Sequence, residues 1–258
     1  MQKQKILKTT AILVSTFLLL FSFQNCADQT FSSTDGSNFT TDTGGPNCRR
    51  VLEEIQTPVE LVYVVDMSGS NKTINGQPGS DPDKSVRTGS ITTFYNTFKI
   101  KLNFFWTLIS FAGNNAKTWA SNAGADEMAN AINSLIATND SGATPYMPAL
   151  NSARDAIQND PNPNALKKYV VVVWSDGLPN PAVSDSDLSA KVAEIVALHP
   201  GRVSLNTVYY GPIDPEASGR LSLMAQVGGG NFLDTNMNGT GTAFSITDLV
   251  VVPGEVCD

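Results

Sequence analysis

The chain has 258 residues, 41% of them hydrophobic and 16% charged, with a formal net charge of −7. The apolar share is enough for a folded core. An acidic balance with no basic stripe excludes a nucleic-acid surface or an anionic-lipid surface as the main interaction face.

The N-terminus reads as an export signal. Lys3, Lys5 and Lys8 form a positive start, and Ala11 to Phe23 is a 13-residue apolar run broken only by Ser and Thr. A membrane span needs about 20 such residues, so this is a signal core rather than an anchor. Residues 1–25 carry three Lys and no acids, so their removal takes the charge from −7 to −10. The run ends at Phe23-Gln24-Asn25-Cys26, which resembles a bacterial lipoprotein processing site. The usual pattern there is Leu, two small residues and Cys, from which Phe23 and Gln24-Asn25 depart. The resemblance implies that Cys26 becomes a lipid-bearing first residue. With Ala rather than Asp at position 27, it implies an outer-membrane lipoprotein of the cell envelope, periplasmic or surface-exposed. Residues 26–47 then form the attachment Cys and a Ser/Thr/Gly/Asp-rich tether without periodicity, too polar to order itself. Residues 48–258 form one folded domain.

In that domain strands and helices alternate. Glu60 to Asp66 is a buried apolar strand. Asp81-Pro82-Asp83 signals a helix from Asp83 or Lys84 to Phe98. Phe104 to Phe111 is a strand with Trp106 in the core, and Thr118 to Ser121 a short edge strand. Ala125 to Ala137 has helical spacing, as does Tyr146 to Gln158. Tyr169 to Ser175 is a second buried strand. A helix over Asp185 to Leu198 ends at His199-Pro200-Gly201. Val203 to Tyr210 is a strand, Ala217 to Val227 a helix, Asn231 to Asp234 a last short strand, and Thr242 to Val250 a closing helix. The alternation predicts an α/β fold of three layers, doubly wound, with a mostly parallel sheet between helices.

Chemistry concentrates at three strand or helix edges. The first strand runs into Asp66-Met67-Ser68-Gly69-Ser70, where a carboxylate and two hydroxyls stand at i, i+2 and i+4. Gly142-Ala143-Thr144-Pro145 opens a helix, and the strand from Tyr169 ends at Ser175-Asp176-Gly177. Open α/β sheets place ligands beyond the C-terminal ends of their strands. A donor set of oxygens with few acids suits a hard divalent cation.

D-x-S-x-S, then Thr, then Asp resembles the von Willebrand factor type A (VWA) family and its metal-ion-dependent adhesion site. The likeness runs from about Val59 to Val252, and all five positions are filled in order. It implies a Rossmann-like six-stranded sheet in the order 3-2-1-4-5-6, with the Asp66 and Asp176 strands adjacent at the switch point. It also implies Asp66, Ser68, Ser70, Thr144 and Asp176 as the site of Mg²⁺ or Mn²⁺, with Ca²⁺ as an alternative. Ser68 and Ser70 would bind directly, Thr144 directly or through water, and the two Asp largely through water. A protein partner's Asp or Glu would complete the shell. Gly69 is expected to give a sharp turn between the serines. In the family a helix usually starts soon after this motif; here Asn71 to Pro82 intervenes. Its Asp81 and Asp83 read as turn and cap residues, with a second cation as the alternative.

The resemblance also bears on the cysteines. Cys26, Cys48 and Cys257 are an odd set for an exported chain. With Cys26 acylated, Cys48 and Cys257 flank a domain whose ends come close in this family, and some members join them by a disulfide. The function expected is an adhesion or envelope-assembly module rather than an enzyme. One alternative is a VWA scaffold with a structural metal or an empty site. The other is a Mg-dependent phosphoryl-transfer enzyme with Asp66 as nucleophile, against which stands Ser68 where such phosphatases carry a second Asp. His199, the only His, lies at a helix end, where a capping or surface role suits it.

Overall fold

The structure is a computed structural model that describes residues 57–100 and 103–236, all within the unit Arg49–Asp258. Cys26, Cys48, Cys257, the signal, the tether and the expected helix over Thr242 to Val250 lie outside the described residues.

Six strands, β1 (Val59–Asp66), β2 (Phe104–Ala112), β3 (Asn115–Ala123), β4 (Lys168–Ser175), β5 (Val203–Tyr209) and β6 (Gly229–Asp234), form one sheet in the order β3-β2-β1-β4-β5-β6. All neighbours are parallel except the β2–β3 hairpin. Helices α1 (Ser85–Phe98) and α2 (Ala125–Ala137) cover one face; α3 (Tyr146–Gln158), α4 (Asp185–Ala197) and α5 (Pro215–Val227) cover the other. This is the expected three-layer arrangement, and β1 and β4 are neighbours at the switch point.

The strand pattern explains the layering. Successive side chains point to opposite faces. In β1, Leu61, Tyr63 and Val65 pack with Phe94, Trp106, Met128 and Leu135. Val62 and Val64 pack with Leu150, Ile157, Val192 and Leu205 on the other face. Both faces are covered, so β1 is apolar throughout its middle.

Most element bounds agree with the sequence reading within two residues. The edge strand is the largest difference: β3 has nine residues rather than four. Three of its added positions, Asn115, Lys117 and Asn122, are polar and at least partly exposed, and the other two are the small Ala116 and Ala123; backbone pairing to β2 holds them, so apolar patterning does not mark them. Helix α1 begins at Ser85 because Lys84 is left-handed, with φ of 61°. Both acids before it are caps, as read from the sequence. The Asp81 carboxylate accepts from the backbone N–H of Val86 and Arg87 at 3.1 and 3.0 Å, and Asp83 accepts from Ser85 N–H at 3.1 Å.

Candidate metal centre

Asp66 is the last residue of β1, and Asp176 follows the last residue of β4, so adjacency of these two strands puts both carboxylates at one sheet edge. A ring of hydrogen bonds joins them. Ser68 N–H donates to Asp66 Oδ1 at 2.8 Å, and the Ser68 and Ser70 hydroxyls meet at 3.0 Å. Ser70 Oγ donates to Asp176 Oδ1 at 3.0 Å, and Ser175 Oγ donates to Asp66 Oδ2 at 2.6 Å. Asp66, Ser68 and Asp176 are buried, and Ser70 is exposed. Thr144 stands beside the ring through its backbone. Gly69 N–H donates to Gly142 O and Ser141 N–H to Met67 O, both at 2.9 Å. Asn180 N–H, beyond Asp176, donates to Thr144 O at 3.0 Å.

The glycine that this junction requires is not Gly69. Gly69 has no positive φ and opens a 3₁₀ turn (Gly69–Asn71); a Cβ there would stand 3.4 Å from Gly142 O, an ordinary contact. At Gly142 φ is +78°, and a Cβ would come within 2.7 Å of Gly113 Cα. The backbone freedom needed to bring the Thr144 loop in is therefore spent one loop away from the serines.

Behind the ring stands a residue the sequence reading did not single out. Arg87, fully buried, donates from Nη1 to the Asp66 carbonyl at 2.6 Å and to Asp140 Oδ1 at 2.9 Å. Its Nε reaches Asp81 Oδ2 at 2.9 Å, and Nη2 reaches Asp81 O at 2.8 Å and Asp140 Oδ2 at 3.1 Å. One guanidinium thus ties the end of β1, the loop before α1 and the loop after α2. Its five-donor fork suits such a junction.

The segment 71–84 is also built onto the site. Ile74 and Gln77 exchange both backbone hydrogen bonds at 2.9 Å around Asn75 and Gly76, whose φ values are 50° and 79°. That is a two-residue hairpin turn. Its stem is held by Ser80 N–H to Ser70 O at 3.1 Å, and Tyr210 O–H donates to Asn71 Oδ1 at 2.9 Å.

Charge shows what the ring lacks. Among the described residues the buried charged side chains are Glu60, Asp66, Asp81, Asp140, Asp160, Asp176, Arg87 and Lys167. Asp81 and Asp140 share Arg87, and Glu60 and Asp160 share Lys167. Asp66 and Asp176 share no buried base. Burial, with the charge of Asp176 second, pushes the Asp66 carboxyl up to about 7 against the hydrogen bonds from Ser175 and Ser68. Asp176 Oδ2 is buried with no hydrogen-bond partner. Two carboxylates and two hydroxyls linked in one ring, with an oxygen left over, have the donor chemistry of a hard divalent cation site. Among the described residues no group of three or more His, Cys, Asp or Glu is placed to hold a metal ion.

His199 is placed away from this edge: it stacks on Tyr169 with ring centroids 5.0 Å apart and meets Arg202 through Nδ1 at 3.0 Å.

No family model matches the chain, and no curated protein matches it. Among solved structures it is similar to the SpRpn10 VWA domain, at 8% identity over 69% of this chain and 87% of that one, with a TM-score of 0.52. It is also similar to the pilus adhesin SpaC from Lactobacillus rhamnosus GG, at 16% identity over 74% of this chain, with a TM-score of 0.53. The match spans 29% of that adhesin's length. At these identities the likeness is one of fold: the domain has the VWA fold. No described helix is long and apolar enough to cross a membrane.

Proposed function

We propose that this domain is a lipid-tethered envelope binding module that captures a protein partner through a divalent cation. The carrying observation is the Asp66–Ser68–Ser70–Asp176 ring, which has two buried carboxylates, no buried base and an unpartnered Asp176 oxygen. Asp66, Ser68, Ser70, Thr144 and Asp176 would hold Mg²⁺, Mn²⁺ or Ca²⁺. When bound, the ion supplies an electrophilic centre that accepts a carboxylate from a partner's Asp or Glu.

The chain's own residues set the conditions for this. Ser175 and Ser68 occupy both oxygens of Asp66 and fix its rotamer. Ser70, at the exposed end of the ring, keeps the site open to a partner. Arg87 holds the Asp66 main chain, and the hairpin stem holds that of Ser70. The same features disfavour the phosphoryl-transfer alternative: an Asp66 that is fully buried, with both oxygens accepting hydrogen bonds, is not presented as a nucleophile. The fold and the acidic surface fit a binding module held near a membrane by Cys26.

The test is calorimetric titration of the full chain with Mg²⁺ and Mn²⁺, followed by capture from envelope extract with and without EDTA. Ser68→Ala and Ser70→Ala should weaken cation binding and EDTA-sensitive capture while circular dichroism stays native. Wild type that binds no divalent ion at millimolar concentration would sink the reading.

A further inference from the structure

The end of the sheet opposite the cation ring carries a second built cluster. It lies near the start of β1, about six residues or roughly 20 Å from Asp66 along the strand. Lys167 is fully buried, just before β4. Its Nζ stands 2.7 Å from Glu60 Oε2, 2.7 Å from Asp160 Oδ2 and 2.7 Å from Asn122 Oδ1. The rings of Phe105 and Tyr169 wall it, at 4.6 and 5.4 Å from Nζ.

The carboxamide is brought there deliberately by the backbone. In the β2–β3 pairing, Trp106 faces Ala123 and Leu108 faces Ala120, so Ser121 and Asn122 together oppose Thr107. This is a bulge, a device that re-aims a side chain. Asn122 is left-handed, with φ of 46°, and its N–H donates to Thr107 Oγ1 at 3.0 Å. Thr107 in turn donates to Glu60 Oε1 at 2.7 Å and so orients that acid.

The Arg87 cluster is the useful contrast. It too has one base and two acids, but its base cannot give up a proton, and none of its hydrogen bonds reaches a carboxamide. Lysine can lose its proton and become a nucleophile. The Lys167 cluster therefore holds a nucleophile, an acyl carbon with a leaving nitrogen, and an acid in contact, in an aromatic, water-poor pocket. Held at this separation, the two reacting groups gain the advantage of an intramolecular reaction.

We propose that Lys167 and Asn122 form an intramolecular amide cross-link, with Glu60 as the proton relay. Lys167 passes one proton to Glu60, and the freed Nζ lone pair attacks Asn122 Cγ. The Nζ–Cγ bond forms and the Cγ–Nδ2 bond breaks. Glu60 hands its proton to Nδ2, which leaves as ammonia, and takes a second proton from Nζ. The product retains one N–H, which donates to Asp160, and a carbonyl that accepts from protonated Glu60. The cluster starts with one cation and two carboxylates and ends with one carboxylate, so its net charge is unchanged. No oxidant or external reagent enters. The bond would tie edge strand β3 to β4 across β2 and β1, joining residues 45 apart in the chain. It is independent of any cation at the other end of the sheet.

The experiment is peptide mapping by mass spectrometry of the full chain, digested under denaturing and reducing conditions, with and without prior EDTA. The expected result is one linked pair containing Asn122 and Lys167, lighter than the two free peptides together by one ammonia, about 17 Da. Asn122→Ala should abolish the pair. Glu60→Gln, which keeps the side chain's size and removes the relay, should leave both peptides separate in a protein with native circular dichroism. Unlinked, unmodified peptides from wild type would mean an ion-pair cluster only and overturn the proposal. A linked pair in Glu60→Gln would overturn the relay assignment.

Discussion

Arg87→Met is the sharpest test of how the loops around Asp66 are held. The variant removes the base from Asp81 and Asp140, whose side chains are 1% and 2% exposed, and leaves both carboxylates buried. Breaking a buried pair by removing one partner costs about 3–5 kcal/mol. The two pairs share one guanidinium, so their losses do not add. In a domain of this size about 1 kcal/mol moves Tm by roughly 2–4 °C. The expected fall is therefore on the order of 10 °C, read by thermal and urea unfolding in EDTA. The Arg154–Glu194 pair is the control. Its 2.7 Å contact is no longer than those of Arg87, but its side chains are 30% and 43% exposed. Arg154→Met should leave Tm almost unchanged, since solvent screens that pair. Because Arg87 also binds the Asp66 carbonyl, Arg87→Met should weaken Mg²⁺ binding beyond what its lower stability explains, at a temperature where it is fully folded. Equal, small effects from the two substitutions would refute the claim that burial makes Arg87 the rivet of this edge.

The other expectations concern charge and covalent state. In EDTA, Asp176→Asn should stabilise the protein at about pH 8, on the order of 1 kcal/mol, and have little effect near pH 5. The sign follows from Asp66, whose carboxyl is held up to about 7 by burial first and Asp176 second. A raised carboxyl favours folding below its unfolded value and loses that contribution as pH rises through the folded one. Removing the neighbouring charge therefore helps only at the alkaline side; urea titrations at both pH values check this. Cys48 and Cys257 should appear as a linked pair in non-reducing peptide maps of envelope protein, and two alkylatable thiols would refute it. A clickable fatty acid should label wild type and not Cys26→Ala, and only the labelled protein should partition into detergent.

The sheet was legible because parallel strands buried on both faces write themselves as apolar runs; Val62 to Val65 and Val170 to Val173 are such runs. The positions of Asp66 and Asp176 followed from those runs, since each acid comes at the end of one. Asp81 and Asp83 were legible as caps from the Asp-Pro-Asp signal alone. What stayed hidden was long-range. Arg87 is separated from Asp66 by 21 residues and from Asp140 by 53, and nothing in helix α1's spacing marks it as buried. A buried Arg in a helix reads in sequence like any surface Arg. Lys167 is hidden for the same reason, beside Lys168 in a polar stretch. The role assigned to Gly69 failed because a glycine between two serines suggests a turn, whereas the crowding is at Gly142, where two loops from distant sequence meet.

The distribution of buried charge links these hidden residues to function. A domain can bury a pair of acids if a base is buried with them, and this one does so twice, with Arg87 and Lys167. Arg87 comes from α1 to acids in two separate loops, and Lys167 joins Asp160 of its own connection to Glu60 of β1, so each base also fastens separate segments together. At Asp66 and Asp176 the fold supplies hydroxyls in place of a base. Those hydroxyls orient the carboxylates but leave the burial and, second, the Asp176 charge that raise Asp66. On the proposed reading, a cation from solution would recover the stability given up there above about pH 7, which would make the third pair conditional where the other two are permanent. On that reading an added ion would switch the site, and a surround of buried hydrogen bonds holds the main chain of the ring in place. Arg87 and the 71–84 hairpin provide that surround on the side of β1, and the Tyr146 hydroxyl, donating to Gly177 O at 2.7 Å, provides it on the side of β4.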